Sequence, residues 1–199
     1  DLSVLRSEQT ISLNRGYLLY DKIGRSCPYH VVVNALVVEQ WADEIEGLRN
    51  TKFVSWDRRH WFNRREDILY LGGPTQKYPP RFSPDVTKDL WSGATVTFVA
   101  LQVAYFLGFS KVVLIGVDHR FKTEGEPHST VTTIGDDLNH FDPTYFGGGT
   151  RWQLPDLETS ELAYMLARFY YARDHREILD ATVGGALTIF PKVDYHSLF

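Results

Sequence analysis

Residues 90–121 constrain this chain most. A polar Ser92-Gly93 turn is followed by a nearly all-apolar run, Val96–Phe109. Gly108 closes that run, and Lys111–Ile115 then reads as a buried strand ending at Gly116-Val117-Asp118-His119-Arg120. An apolar helix leading into an apolar strand belongs inside a packed α/β core. Open sheets of that kind bind ligands at the carboxyl ends of their strands. An Asp, a His and an Arg at such an end point to a charged small molecule.

Val96–Phe109 contains Gln102 and falls short of the ~20 apolar residues that a membrane span needs, so we read it as a buried helix. No signal-peptide pattern is present, and Cys27 is the one cysteine, which excludes an internal disulfide and leads us to expect a cytoplasmic protein. Cys27 itself reads as a small core residue. The chain begins at Asp1 rather than Met, and we expect a fragment or a processed chain. With 199 residues, 43% hydrophobic and 23% charged, it has the composition of one globular α/β domain, 1–199, with a full core. The formal net charge of −4 and the lack of a basic run argue against nucleic acid as a partner. Arg58-Arg59 and Arg64-Arg65, close to Trp56 and Trp61, form either a solvated surface segment or a phosphate or sugar contact.

Short β-rich runs alternate with helical ones. Strands are expected at Gln9–Leu13, Tyr29–Val33, Lys52–Ser55, Ile68–Leu71, Lys111–Ile115, Glu177–Ala181 and Ala186–Phe190. Helical segments are expected up to Ile23, ended by Gly24, and over Leu36–Leu48, whose apolar positions are Leu36, Val37, Trp41, Ile45 and Leu48. A further helix is expected over Glu158–His175, with a stripe of Leu162, Met165, Leu166 and Phe169 and a cap from Thr159 or Ser160. Gly72–Asp89, with its four prolines, reads as irregular. Residues 122–155 show no period and read as a long functional loop. The alternation predicts a mainly parallel, Rossmann-like sheet with helices on both faces.

In that arrangement Asn14, Asn34 and Gly116–His119 share a rim, and the turn before the apolar helix offers backbone N–H groups to an anion. Asn14 and Asn34 are either turn formers or amides that read a base or ribose. Asp118 is placed to accept a ribose hydroxyl, bind a metal or cap a loop, and Arg120 to neutralise a leaving phosphate. His140, within Asn139-His140-Phe141-Asp142-Pro143, is of the residue type best suited near neutral pH to take a proton from a hydroxyl nucleophile, or else a hydrogen-bonded loop histidine, and Asp142 is a candidate to orient it. A metal held by Asp118, His119, His128, Asp136, Asp137 and His140 lacks close ligand spacing, so no metal is expected to be required. Gly147-Gly148-Gly149-Thr150 has no following Lys and fails as a phosphate loop. Gly184-Gly185 reads as a tight turn with close backbone approach.

As a set, Ile11-Ser-Leu-Asn-Arg-Gly-Tyr17, Val33-Asn34 with Glu39-Gln40, Ser92-Gly93-Ala-Thr95, Gly116-Val-Asp118, Asn139-His140-Phe141 and Ala181-Thr-Val-Gly-Gly185 resemble the MptE-like domain over almost the whole chain. That domain is named after an archaeal 6-hydroxymethylpterin diphosphokinase and also occurs in the Maf motility-associated factors linked to flagellin glycosylation. The pattern is more distantly similar to bacterial sialyltransferases that use CMP-sialic acid. The second resemblance implies a sialyltransferase-like glycosyltransferase using a nucleotide-sugar donor, with a glycan or protein hydroxyl as acceptor. It implies that Asn14 and Asn34 contact the nucleotide, Gln40 lies near the donor, and Ser92 and Gly93 meet the nucleotide or donor sugar. Gly116 and Asp118 would line the ribose and phosphate, His140 would be the base, and Arg120, Tyr145 or Arg151 would neutralise the phosphate.

Two departures stand out. The sequence starts just after the place where the family's first strand and Asn-Gly-Pro-Ser loop would stand, and Asp89-Leu90-Trp91 occupies the place of the basic residue that holds a sialic acid carboxylate. The resemblance also leaves open a Mg-dependent diphosphokinase acting on ATP, or a non-catalytic nucleotide-binding module. A homo-oligomer is compatible with the sequence.

Overall fold

Each of the first four β-rich runs is too short to stand alone, and each finds its partner in the next. The computed structural model describes residues 1–73, 76–121 and 125–198. In it β1 (Ile11–Leu13), β2 (Tyr29–Val32), β3 (Thr51–Ser55) and β4 (Ile68–Leu71) form a parallel sheet in the order β1-β2-β3-β4. The register runs Leu13 to Val31, Val31 to Phe53 and Val54 to Tyr70. Between β1 and β2 the chain passes through a 3₁₀ turn and α1 (Tyr20–Ile23), which Gly24 ends at a φ of 81°. Between β2 and β3 it passes through α2 (Ala35–Glu46). The α/β architecture with a parallel sheet flanked by helices is therefore as the alternation predicts. Residue contacts divide the span treated above as one domain into two compact units, Asp1–Pro74 with Gly125–Leu154, and Thr75–Glu124 with Pro155–Phe199.

In the first unit, Val32, Val54 and Ile68 of the sheet pack with Val37, Val38, Ala42 and Ile45 of α2. Tyr145 and Phe146 join the same cluster from the segment read as a long functional loop. That segment contains a hairpin, β6 (Thr130–Thr132) paired antiparallel with β7 (Arg151–Gln153). Strands of three residues, separated by a long connection, leave too few alternating positions for a visible period.

Polar groups are buried where β1, β2 and β3 run side by side. Ser12, His30 and Lys52 occupy neighbouring register positions. The fully buried Lys52 ammonium donates to Leu48 O (2.8 Å), Asn50 O (2.9 Å) and the Asp67 carboxylate (2.7 Å), so all three donors are satisfied. His30 Nδ1 meets Ser12 Oγ at 2.8 Å, Ser12 Oγ meets the Tyr20 hydroxyl at 2.6 Å, and Asn50 Nδ2 donates to that hydroxyl at 2.8 Å. Its Nε2 is buried without a hydrogen-bond partner among the described residues. Cys27 is buried beside this network, and burial pushes its thiol pKa up.

The second unit contains β5 (Lys111–Leu114) and β8 (Glu177–Asp180), a parallel pair, with α3 (Val96–Phe106) and α4 (Leu157–Arg173). α3 is buried from Thr97 to Tyr105. Its one amide side chain, Gln102, is fully buried and fully used. Oε1 accepts from Ser83 N (3.0 Å) and Trp91 N (3.3 Å), while Nε2 donates to Trp91 O (2.8 Å) and Phe98 O (3.2 Å). Gln102 thus supplies hydrogen-bond partners to the backbone of Ser83 and Trp91, in a proline-rich segment whose described residues form no helix and no named strand.

Two features of the second unit correct the sequence reading. The core face of α4 is Ala163, Tyr164, Ala167 and Tyr171, whereas Met165 and Phe169 of the expected stripe are 46% and 62% exposed. Alanines let the neighbouring helix approach closely, and Tyr171 spans to α3 with its hydroxyl on Leu101 O at 2.8 Å. The cap is Asp156, whose Oδ1 accepts from Thr159 N at 2.9 Å; Thr159 is thus capped rather than capping. Ala186–Phe190 is not a strand. Leu187 and Phe190 instead plug the core while Ala186 N donates to Asp118 O at 2.8 Å. Among the described residues no helix is long and apolar enough to cross a membrane.

Burial, and after it the Lys52 cation, push His30 down to about 3. The unfolded chain binds a proton near pH 6.5 that the folded chain refuses until about pH 3. This contribution to stability is complete above pH 6.5 and falls away as pH drops towards 3. Urea unfolding at pH 7 and pH 5 should show a loss of about 2 kcal/mol from this group. In His30→Gln that part of the pH dependence should vanish.

Candidate functional site

Each unit carries part of the set of residues singled out in the sequence. In the first, Asn14 and Asn34 follow the adjacent strands β1 and β2. Asn14 takes a left-handed φ of 47°, donates its N–H to Val31 O at 3.1 Å, and buries an Oδ1 that has no hydrogen-bond partner among the described residues. Asn34 caps α2, its Oδ1 accepting from Leu36 N (2.9 Å) and Val37 N (3.2 Å), which is the turn-forming alternative. Gln40 lies one turn along α2 and serves the hairpin. Its Nε2 donates to Leu36 O (2.7 Å) and Arg151 O (2.8 Å), and its Oε1 accepts from Arg151 N (2.9 Å). The Arg151 guanidinium pairs with Glu39 at 2.6 Å. Gln40 and Arg151 therefore hold β7 against α2.

His140 sits between β6 and β7, its side chain 22% exposed. Its Nδ1 lies 2.7 Å from Oδ2 of Asp137, a carboxylate that is almost wholly buried. The same Oδ2 accepts from Phe146 N at 2.9 Å, and Oδ1 accepts from Asn139 N at 2.8 Å. Asp142, the expected orienting group, is occupied locally: its Oδ1 accepts from Thr144 N (2.8 Å) and Thr144 Oγ1 (2.7 Å). The partner three residues before His140, not two after, is the one that reaches the ring. An Asp-x-x-His spacing is a usable signal in a turn, and here it was hidden beside Asp136.

The imidazole lies flat on the Tyr145 ring, with centroids 4.1 Å apart and planes inclined by 8°. The Tyr145 hydroxyl faces inward and accepts from Arg15 N at 3.3 Å, and burial pushes it up to about 12, so it remains a phenol at neutral pH. The sequence assigned no site role to Arg15, which it offered only within the Ile11–Tyr17 motif, or to the aromatic column behind it. Trp41 stacks on Phe146 at 6.0 Å, Phe146 on Trp152 at 5.7 Å, and the Arg15 guanidinium covers Trp41 at 4.3 Å.

In the second unit, Ser92 O accepts from Thr95 N at 3.1 Å across a turn whose inner residues, Gly93 and Ala94, have φ of 51° and 59°. A Cβ on Gly93 would come within 2.5 Å of Phe98 and 2.6 Å of Ala163, so this glycine is fixed by packing as well as by conformation. Gly116 has a φ of 72° and open space around it. Val117 N donates to Thr182 Oγ1 at 3.0 Å, Asp118 is exposed, and Arg120 Nη2 donates to Gly184 O at 3.4 Å. A Cβ on Gly185 would lie 2.8 Å from Thr182, the close approach expected of Gly184-Gly185. His119 Nε2 pairs with Glu161 at 3.0 Å and its ring meets Tyr164 edge-on at 6.1 Å. Tyr164 in turn reaches Thr95 Oγ1 at 3.5 Å, which joins the Ser92-Gly93 turn to the segment after β5. Among the described residues no group of three His, Cys, Asp or Glu side chains is placed to hold a metal ion.

Among solved structures, the chain matches a MAf glycosyltransferase from Magnetospirillum magneticum AMB-1 with a TM-score of 0.59 and 20% identity. The match covers 100% of this chain and 32% of that one, so the chain spans about a third of its neighbour's length. No family model matches the chain, and no curated protein matches it. The likeness establishes the fold, a Rossmann-like α/β arrangement of the kind found in that enzyme.

The two glycines separate packing from backbone strain. Gly116→Ala should cost about 1 kcal/mol, the strain of a left-handed alanine. Gly93→Ala adds an overpacked contact with Phe98 and Ala163 and should cost about 3 kcal/mol or more in urea unfolding.

Proposed function

We propose that this chain is the Rossmann-like part of a glycosyltransferase. It would transfer a sugar from a nucleotide-linked donor, of the CMP type, to the hydroxyl of a glycan or protein acceptor. The observation that carries this reading is the His140–Asp137 pair. A carboxylate on Nδ1 favours the tautomer with its proton there and leaves Nε2 as the basic nitrogen. Nε2 takes the acceptor's hydroxyl proton as the oxygen attacks the anomeric carbon. The bond from that carbon to the donor phosphate oxygen breaks, and its electron pair leaves with the nucleotide. The fold shared with a glycosyltransferase supports the reaction class. Asn14, with its unspent buried carbonyl oxygen, supports a polar ligand group at the end of β1. We assign Ser92, Gly93, Gly116 and Asp118 to the nucleotide and donor, and Arg120 to the leaving phosphate. No metal step is required by this chemistry.

Two measurements test the reading. CMP at about 100 times its Kd should stabilise the protein by about 2.7 kcal/mol, raising the melting temperature by roughly 5–10 °C. CDP, UDP and GDP should do less; stabilisation by ATP only with Mg²⁺ would replace this reading with diphosphoryl transfer. With a donor and acceptor identified, His140→Ala should lower turnover about 10²-fold or more and Asp137→Asn about 10-fold, while Asp142→Asn should change it less than about 2-fold. Unchanged turnover in His140→Ala would remove it as the base.

A further inference from the structure

Arg15 is a buried cation on a short connection after β1, its side chain only 9% exposed. Its donors are committed. Nη1 donates to Thr144 O (2.5 Å) and Tyr145 O (2.6 Å), Nε donates to the Tyr17 hydroxyl (3.2 Å), and Nη2 lies 3.7 Å from the Glu44 carboxylate. Tyr17 closes the circuit by donating to Glu44 at 2.6 Å. The backbone N–H of the same residue donates to the Tyr145 hydroxyl. Tyr145 is therefore held at both ends by one residue, its carbonyl by the guanidinium and its phenol by the main chain. The ring between those two ends is the surface on which His140 lies flat.

We propose that Arg15 is a positioning residue for His140, acting through the plane of Tyr145. This rests on the reading of His140 as the base. Asp137 fixes one edge of the imidazole, the Phe146 ring meets it edge-on at 4.9 Å, and the plane of the ring is set by the face it lies on. The Tyr145 face supplies that plane, and Arg15 holds Tyr145 in place at its carbonyl and its hydroxyl. A lysine cannot substitute. Its ammonium is a point charge on a flexible stem, whereas the guanidinium plane reaches two carbonyls, a hydroxyl and a carboxylate from one fixed fork while stacking on Trp41.

The test separates the clamp from the chemistry. The ring protons of His140, assigned by their loss in His140→Gln, should resonate upfield of a solvent-exposed histidine because they sit over the phenol face. Arg15→Lys and Arg15→Gln should both move them towards the exposed value, and Tyr145→Leu should do the same. Tyr145→Phe keeps the ring and its carbonyl, and should retain most of the displacement; it provides the comparison if an Arg15 variant unfolds. In a transfer assay, Arg15→Lys should lower kcat about 10- to 100-fold with little change in the donor KM. Unmoved His140 signals in a folded Arg15→Lys protein, or loss of the displacement in Tyr145→Phe equal to that in Tyr145→Leu, would overturn the clamp. Moved signals together with full turnover in His140→Ala would uphold the clamp and remove the base.

Discussion

Burying a guanidinium costs several kcal/mol unless its charge and its donors are matched inside the protein. Around Arg15 they are matched by Glu44, by Tyr17, by two carbonyls and by the face of Trp41. Those two carbonyls belong to Thr144 and Tyr145, far along the chain from Arg15. The connection from β6 to β7 is therefore anchored to the end of β1 by a cation that has no cheaper place to go. The ordered Asp137–His140 geometry, the stacked imidazole and the entry of Tyr145 and Phe146 into the core all depend on this anchor.

The same logic of full satisfaction recurs at Lys52 and Gln102. Each is a polar group in an apolar setting, and each has its bonding capacity filled, Lys52 by Leu48 O, Asn50 O and the Asp67 carboxylate, Gln102 by the backbone of Ser83, Trp91 and Phe98. His30 is the exception. It is buried beside the Lys52 charge with Nε2 unpartnered among the described residues, and it is tolerated as a neutral ring.

The strands of the parallel sheet and the helices α2 and α3 were legible because each is a local pattern: a short β-branched run, or apolar residues at helical spacing with a capping residue before them. The hairpin β6–β7 was not legible, because its strands are short and its pairing is non-local. The face of α4 was misread for a different reason. Large apolar residues were assumed to point inward, but the close helix contact there is made by Ala163 and Ala167, and Met165 and Phe169 face water. In the candidate site, the sequence drew attention to His140 but to the wrong carboxylate. Asp142 is spent on its own turn, and Asp137, held by the N–H groups of Phe146 and Asn139, is the carboxylate that reaches the ring. Arg15 entered only as a member of the Ile11–Tyr17 motif and with no role of its own, since nothing local distinguishes a clamp from a surface arginine.

The amide of Gln102 carries a consequence for the order of assembly. It gathers Ser83 and Trp91, which lie well before it in the chain, and its own geometry is set by α3. Apart from the local bonds that Ser83, Asp85, Thr87 and Asp89 make among themselves, Ser83 and Trp91 gain these partners only when the helix has formed. Shape in this stretch is thus acquired backwards along the polypeptide. Local opening of α3 would release Ser83 N and Trp91 N from Gln102, so these amides should gain and lose hydrogen-exchange protection together with the helix.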